Sequence, residues 1–157
     1  MFQVRGQFDV RMDGKGRLPL PVRLRHALEA SSDDRLVLAS YDGGLMGFVE
    51  SRWRRMERRF AGSSIFDRRT RNFLLAFVAG ACEVEPDGQG RILLPRSLRT
   101  RAGLERRCVF VSYLGLIEIW DADRWAARQG DAVAQLESDG ALAEFVVFDA
   151  DDGGEDL

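Results

Sequence analysis

A nine-residue segment, Asp13-Gly14-Lys15-Gly16-Arg17-Leu18-Pro19-Leu20-Pro21, recurs 74 residues later as Asp87-Gly88-Gln89-Gly90-Arg91-Ile92-Leu93-Leu94-Pro95. The correspondence continues through Leu24-Arg25 and Leu98-Arg99. It then tightens to a spacing of 72, where Val37, Ser40, Tyr41, Gly43, Leu45, Phe48 and Trp53 meet Val109, Ser112, Tyr113, Gly115, Ile117, Trp120 and Trp125. Preservation of residue type over so many positions implies one small supersecondary unit used twice, and two such units sharing one core. The expected organisation is a first unit with its linking helices over 1–80, a second unit with a C-terminal helix over 81–148, and an acidic, disordered tail over 149–157.

Within each copy the pattern reads strand, tight turn, strand, short helix, then a second hairpin and a helix beginning near the aligned Trp. Phe8, Val10 and Met12 alternate before the first turn, and Leu18 and Leu20 alternate after it. Pro21 and Pro95 predict helix entry at the first helical position, where the missing N–H had no partner to lose. Pro19, which lacks a ladder donor, requires an edge or an unpaired amide side. Asp42-Gly43-Gly44 and Leu114-Gly115 supply the second turns. Residues 50–60 and 67–79 are expected to be helical, with Trp53, Met56 and Phe60 on one stripe and Phe73 and Phe77 on another, packing into a core or a subunit contact. A final helix over 121–138 is capped by Asp121.

Composition narrows the function. Of 157 residues, 45% are apolar and 31% charged, an ordinary globular balance. No run approaches the ~20 apolar residues of a membrane helix, so a cytoplasmic protein without membrane contact is expected. His26 is the only histidine, and Cys82 and Cys108 have no neighbours at metal-ligand spacing. A Ser-His-Asp triad, a multi-histidine metal site and a bound cofactor are therefore not expected, and the cysteines read as core thiols. Gly14-Lys15-Gly16 lacks the upstream glycine and following Ser/Thr of a phosphate loop. Asp149, Asp151 and Gly154 only faintly echo a calcium loop. Enzymatic chemistry is not expected.

The net charge of −2 conceals an uneven distribution: residues 137–157 hold eight acids and no base, leaving 23 basic groups against 17 acidic over residues 1–136. Such asymmetry suits a polyanionic partner and equally suits ordinary solvated arginine faces. A second basic run, Arg52, Arg54, Arg55, Arg58, Arg59, Arg68, Arg69 and Arg71, can be read as a solvated helix face, a nucleic-acid backbone contact or intersubunit ion pairs.

The repeated turn itself has two readings. In both copies the glycines permit positive φ, the Asp carboxylate can accept from amides within the turn, and the Arg four residues on can fold back onto it. In this structural role the motif is Asp13, Gly14, Gly16 in one copy and Asp87, Gly88, Gly90, Arg91 in the other. The functional reading comes from comparing the copies. Residues 1–25 carry Arg5, Arg11, Lys15, Arg17, Arg23 and Arg25 against Asp9 and Asp13, whereas the second turn follows Glu83 and Glu85 and has Gln89 in place of Lys15. A β-ribbon fits the major groove of double-stranded DNA, where Arg reads guanine and flanking cations hold phosphates. Arg17 is the first candidate for base reading and Lys15 the second, with Arg11, Arg5 and Arg25 as backbone contacts.

The paired Asp-Gly-Lys-Gly-Arg and Asp-Gly-Gln-Gly-Arg motifs, with Arg101-Ala102-Gly103-Leu104 and Ile117-Glu118-Ile119-Trp120, resemble the MraZ family over roughly residues 2–128. That resemblance implies an α+β fold of the SpoVT/AbrB-like superfamily, in which two swapped-hairpin units form one pseudo-symmetric β-barrel with peripheral helices. It further implies a nucleoid-associated transcriptional regulator assembled as a ring-like homo-oligomer. Such a regulator would repress a cell-division and cell-wall gene cluster, including its own gene, through several hairpins on promoter direct repeats. An antitoxin-like partner or scaffold protein, in which the basic turn meets an acidic protein, is the competing expectation.

Overall fold

The computed structural model describes residues 2–146. It is an α+β protein. One compact unit extends through Arg124, and a second begins at Trp125. The first contains the strands of both copies of the repeat. Copy one contributes β1 (Gly6–Arg11), β2 (Arg17–Pro19), α1 (Val22–Ala30), β3 (Leu36–Tyr41), β4 (Gly44–Val49), α2 (Glu50–Phe60) and α3 (Arg68–Phe73). Copy two contributes β5 (Cys82–Val84), β6 (Arg91–Leu93), α4 (Arg96–Ala102), β7 (Arg107–Tyr113) and β8 (Leu116–Asp121). The helices α5 (Ala122–Asp139) and α6 (Leu142–Phe145) follow.

Six strands form one antiparallel sheet in the order β1-β7-β8-β4-β3-β5, and β2 and β6 form a separate two-stranded ribbon. The two second hairpins lie side by side at the centre, joined where β4 meets β8. Leu45 opposes Ile119 and Gly47 opposes Ile117, so a pseudo-two-fold axis passes between Met46 and Glu118, which are partners at the 72-residue spacing. Each first strand then crosses to the other copy: β1 pairs with β7, and β5 with β3. The register repeats with the sequence, Val10 opposite Cys108 and Val84 opposite Leu36.

This arrangement differs from the sequence expectation in two respects. β1 and β2 do not form a ladder with each other; a single bond from the Asp13 amide to the Arg17 carbonyl, at 3.0 Å, spans the base of the turn. Pro19 removes a donor from a three-residue strand, and the antiparallel partner that satisfies the remaining groups is β6. Among the described residues the ladders also do not close into a barrel, since β1 and β5 end the sheet and β2–β6 stands apart from it.

Burial explains the cross-pairing. Leu18 and Ile92, opposite one another in the ribbon, are fully buried together with Leu24 of α1 and Leu98 of α4. They join Leu36, Leu38, Leu45, Phe110, Ile117 and Ile119 in a single core. Each such side chain contributes roughly 1.5–3 kcal/mol by leaving water. Cys108 is buried in this core and Cys82 packs against it, both as free thiols. Burial, with Asp121 adding to it, pushes the Cys108 thiol up to about 11, which keeps it protonated and unreactive.

Val37, Ala39 and Phe48 form a second cluster with Trp53 of α2 and with Phe77. Here the two expected aromatic stripes meet: Trp53 stacks on Phe77 at 5.6 Å between centroids, Phe73 on Phe77 at 5.2 Å and Phe60 on Phe73 at 5.1 Å. After α3 the backbone makes a π-helical turn over Leu74–Val78, closed by the Ala79 amide on the Leu74 carbonyl at 2.8 Å.

The second hairpins turn at the expected places, over Asp42-Gly43 and Leu114-Gly115, with Gly44 opening β4 and not closing the turn; Asp42 and Leu114 stand at φ +55° and +49°. Pro21 and Pro95 stand one position earlier than expected, at the N-caps of α1 and α4 in extended conformation. Their carbonyls accept the first helical bonds, from Arg25 and Arg99. Asp121 caps α5 by accepting from the amides of Asp123 and Arg124. No described helix is long and apolar enough to cross a membrane. The tail over 149–157, including its calcium-loop echo, lies outside the described residues.

Candidate nucleic-acid interface

The two repeated turns have the same internal construction. In the first, Asp13 Oδ1 accepts from the amides of Lys15 at 2.9 Å and Arg17 at 3.0 Å, while Oδ2 accepts from Arg17 Nε at 2.6 Å. In the second, Asp87 accepts from the amides of Gln89 and Arg91 at 2.9 and 3.0 Å and from Arg91 Nε at 3.1 Å. The Arg therefore does fold back on the Asp in both copies. The Arg17 amide, above all, overrides the opposing effect of desolvation and, with the Arg17 guanidinium and the Lys15 amide, holds the Asp13 carboxyl down at about 2. Asp87 is lowered for the same reasons, led by the Arg91 amide.

Only the second glycine of each motif needs its freedom. Gly16 and Gly90 sit at φ +83° and +75°, whereas a Cβ at Gly14 or Gly88 would meet nothing within 4 Å.

The Asp–Arg clamp positions Arg17 without consuming it. Its side chain is 31% exposed, and with Nε engaged, the terminal nitrogens are the part left for an outside acceptor. Lys15 is exposed at the tip. Arg11, at the end of β1, is exposed and stands opposite Arg107, with Arg106 close by through the bond from the Met12 amide to the Arg106 carbonyl at 2.8 Å. Lys15, Arg17 and Arg11 thus belong to one end of the ribbon. Arg5 does not: it precedes β1 at the opposite end, about 20 Å away along the strand.

Arg25 is also elsewhere. The ribbon is antiparallel, so the two turns lie at its opposite ends, with Gly16 and Gly90 about 13 Å apart along it. Arg25 lies against the second turn: a Cβ on Gly90 would fall 2.5 Å from its Nη1. The reciprocal neighbour of the first turn is Arg99, whose Cζ and Nη1 would be 2.7 Å from a Cβ on Gly16. The sequence groups Arg25 with the first turn, which it follows in the chain, and gives Arg99 no place beside that turn. The alignment of Arg25 with Arg99 was the available signal, and only the crossing of the copies gives it meaning.

The electrostatic contrast between the copies persists in three dimensions. Around the second turn, Glu29, Asp33 and Asp34 line the same surface depression as Asp87. Glu83 and Glu85 are partly balanced by Arg35, at 3.3 and 3.5 Å. Arg91 keeps to its own Asp87 and also approaches Asp13, at 4.0 Å. Among the described residues no cluster of His, Cys, Asp or Glu could hold a metal ion.

A family model described as "MraZ protein, putative antitoxin-like" matches residues 3–76 and again residues 77–144. The chain belongs to the MraZ family. Its relatives include the transcriptional regulator MraZ of Thioalkalivibrio sulfidiphilus, 39% identical over 128 residues, which cover 81% of this chain and 85% of the relative. The MraZ of Ligilactobacillus salivarius is 36% identical over 81% of this chain and 87% of its own length. That of Lactiplantibacillus plantarum is 32% identical over 90% and 96%. The two successive MraZ matches fall on the two copies that interleave in the sheet.

Proposed function

We propose that the chain is a sequence-specific DNA-binding transcriptional regulator, acting by binding and not by catalysis, whose first turn enters the major groove. The observation that carries this reading is the contrast between two turns of identical construction. Each presents a clamped Arg, but one sets Lys15 and Arg11 beside Arg17 while the other sets Gln89 and acids beside Arg91. A framework that only needed to fold would gain nothing from concentrating cations at one of them. The name transcriptional regulator, carried by relatives aligned over most of the chain, supports the same conclusion.

Arg17 and, after it, Lys15 read base edges, Arg11 holds a phosphate beside them, and Arg5 and Arg25 contact the backbone at greater reach. The cross-copy pairing of β1, β5 and the β2–β6 ribbon supports a swapped-hairpin arrangement of two units, meeting near residue 80. A single small turn binds weakly, so a ring-like homo-oligomer placing several turns on promoter direct repeats supplies the affinity. The regulated genes are a cell-division and cell-wall cluster that includes its own gene, held repressed by a protein located at the nucleoid.

Footprinting and gel shifts on the region upstream of its own coding sequence test this reading. Arg17→Ala and Lys15→Ala lose specific binding, whereas Arg91→Ala loses the matching clamp and some stability but keeps the footprint. Wild-type affinity for Lys15→Ala and Arg17→Ala would overturn the assignment. The antitoxin-like description of the family favours a second reading, capture of an acidic protein by the same turn. DNA binding separates from it by a log-linear fall of affinity with salt.

A further inference from the structure

We infer that Arg99, from the second copy, is a phosphate-contacting residue of the first copy's turn, so that one DNA site is assembled from both halves of the chain. This rests on the DNA-binding reading above and adds to it a residue from the copy whose own turn does not engage DNA.

The geometry is that of a pseudo-symmetric pair whose environments have diverged. Arg25 lies against Gly90 and Arg99 against Gly16, as the crossing of the copies requires. Arg25 has an acid on its own helix, Glu29 at 4.0 Å, and shares its depression with Asp33, Asp34 and Asp87. At the 74-residue spacing Glu29 is replaced by Gly103, the left-handed C-cap of α4. The guanidinium of Arg124 lies against it, 2.6 Å from where a Cβ would be. Arg99 thus has a cation near the end of its helix where Arg25 has a carboxylate.

Arg99 is partly buried, and its Nε is buried with no hydrogen-bond partner among the described residues. An N–H buried without an acceptor is costly, and the rest of the fork, on a half-buried side chain next to an exposed Lys15 and a clamped Arg17, matches a phosphate oxygen pair. A DNA phosphate engages the terminal guanidinium nitrogens when the turn enters the groove, drawing the side chain toward the anion, and it fixes register without reading sequence.

The test compares Arg99→Gln with Arg25→Gln on two duplexes, the region upstream of the coding sequence and a scrambled sequence of the same length and composition. Melting temperature and sedimentation of both variants are checked against wild type. Arg99→Gln weakens binding to both duplexes alike and lowers the slope of log affinity against log salt by about 0.9 for every turn engaged. Arg25→Gln changes the slope less, although it removes the equivalent packing. Arg99→Lys retains the slope. In the wild-type protein the Arg99 Nε–H resonance, assigned by its absence in Arg99→Lys, moves on titration with the scrambled duplex. An unmoved resonance, or equal slopes for Arg99→Gln, Arg25→Gln and wild type, overturns the inference and leaves the DNA-binding reading standing. A wild-type protein without salt-dependent DNA binding overturns both.

Discussion

Asp13 organises the first turn from a single carboxylate, receiving two amides and one guanidinium nitrogen. Its folded-state pKa is depressed from an unfolded value near 3.9 to about 2. A depressed acid stabilises the fold at every pH above its unfolded pKa, and that contribution disappears as pH falls through the folded value. Asp13→Asn, which keeps an acceptor but removes the charge, is therefore less stable than wild type at neutral pH. The gap narrows from about pH 4 downward and is lost by about pH 2. Urea denaturation of both proteins across that range measures it, and a gap of constant size would refute the role of the charge. The same carboxylate constrains Arg17 to one rotamer family, so Asp13→Asn also weakens DNA binding under the functional reading, by freeing the side chain that must meet the base.

At the scale of elements, close approach governs the join between the copies. Gly44 opens β4 beneath the Trp120 ring, and a Cβ there would lie 2.7 Å from Cδ2 and Cε2 of that ring and 3.1 Å from the Ile119 carbonyl oxygen. Trp120 is 3% exposed and has no room to withdraw. Gly44→Val should destabilise by about 1–3 kcal/mol through overpacking, while Gly14→Ala, in open space, should fall within about 0.5 kcal/mol of wild type. Equal melting temperatures for Gly44→Val and Gly14→Ala would show that the β4–β8 join is loose. Elements of this kind were legible in the sequence where the determinant was local. The turns at Asp42 and Leu114, the helix over 50–60 and the Asp121 cap follow from neighbouring residues alone. The partners of β1 and β2 did not, because strand alternation states which face is buried and not which strand lies alongside. The Asp-Gly-x-Gly-Arg turn suggested a hairpin, yet its flanking strands find their ladders in the other copy. Arg17 and Lys15 were legible as a charged tip. Arg99 was not, since its position depends on that same crossing.

For the whole molecule, the crossing makes each copy dependent on the other. β1 has its only ladder on β7, β5 has its only ladder on β3, and β2 and β6 have only each other among the described residues. Leu18, Leu24, Ile92 and Leu98 from both copies share one core cluster. Residues 1–80 alone would expose one side of that core and leave unpaired strand edges, and residues 81–146 would do the same. Neither fragment should show a cooperative melting transition as a monomer at low concentration, whereas mixing them should restore a folded one-to-one complex with concentration-dependent stability. Circular dichroism and sedimentation of the fragments, separately and mixed, decide the point. A fragment that also self-associates would do so by pairing two identical copies in the places the two different copies now occupy. That homodimer of residues 1–80 would carry two basic turns and Arg25 in place of Arg99, with Glu29 beside it at each one. Its DNA affinity relative to the intact chain then reports what the divergence of the second copy has added: cations supplied to one turn, and the acids confined to the other.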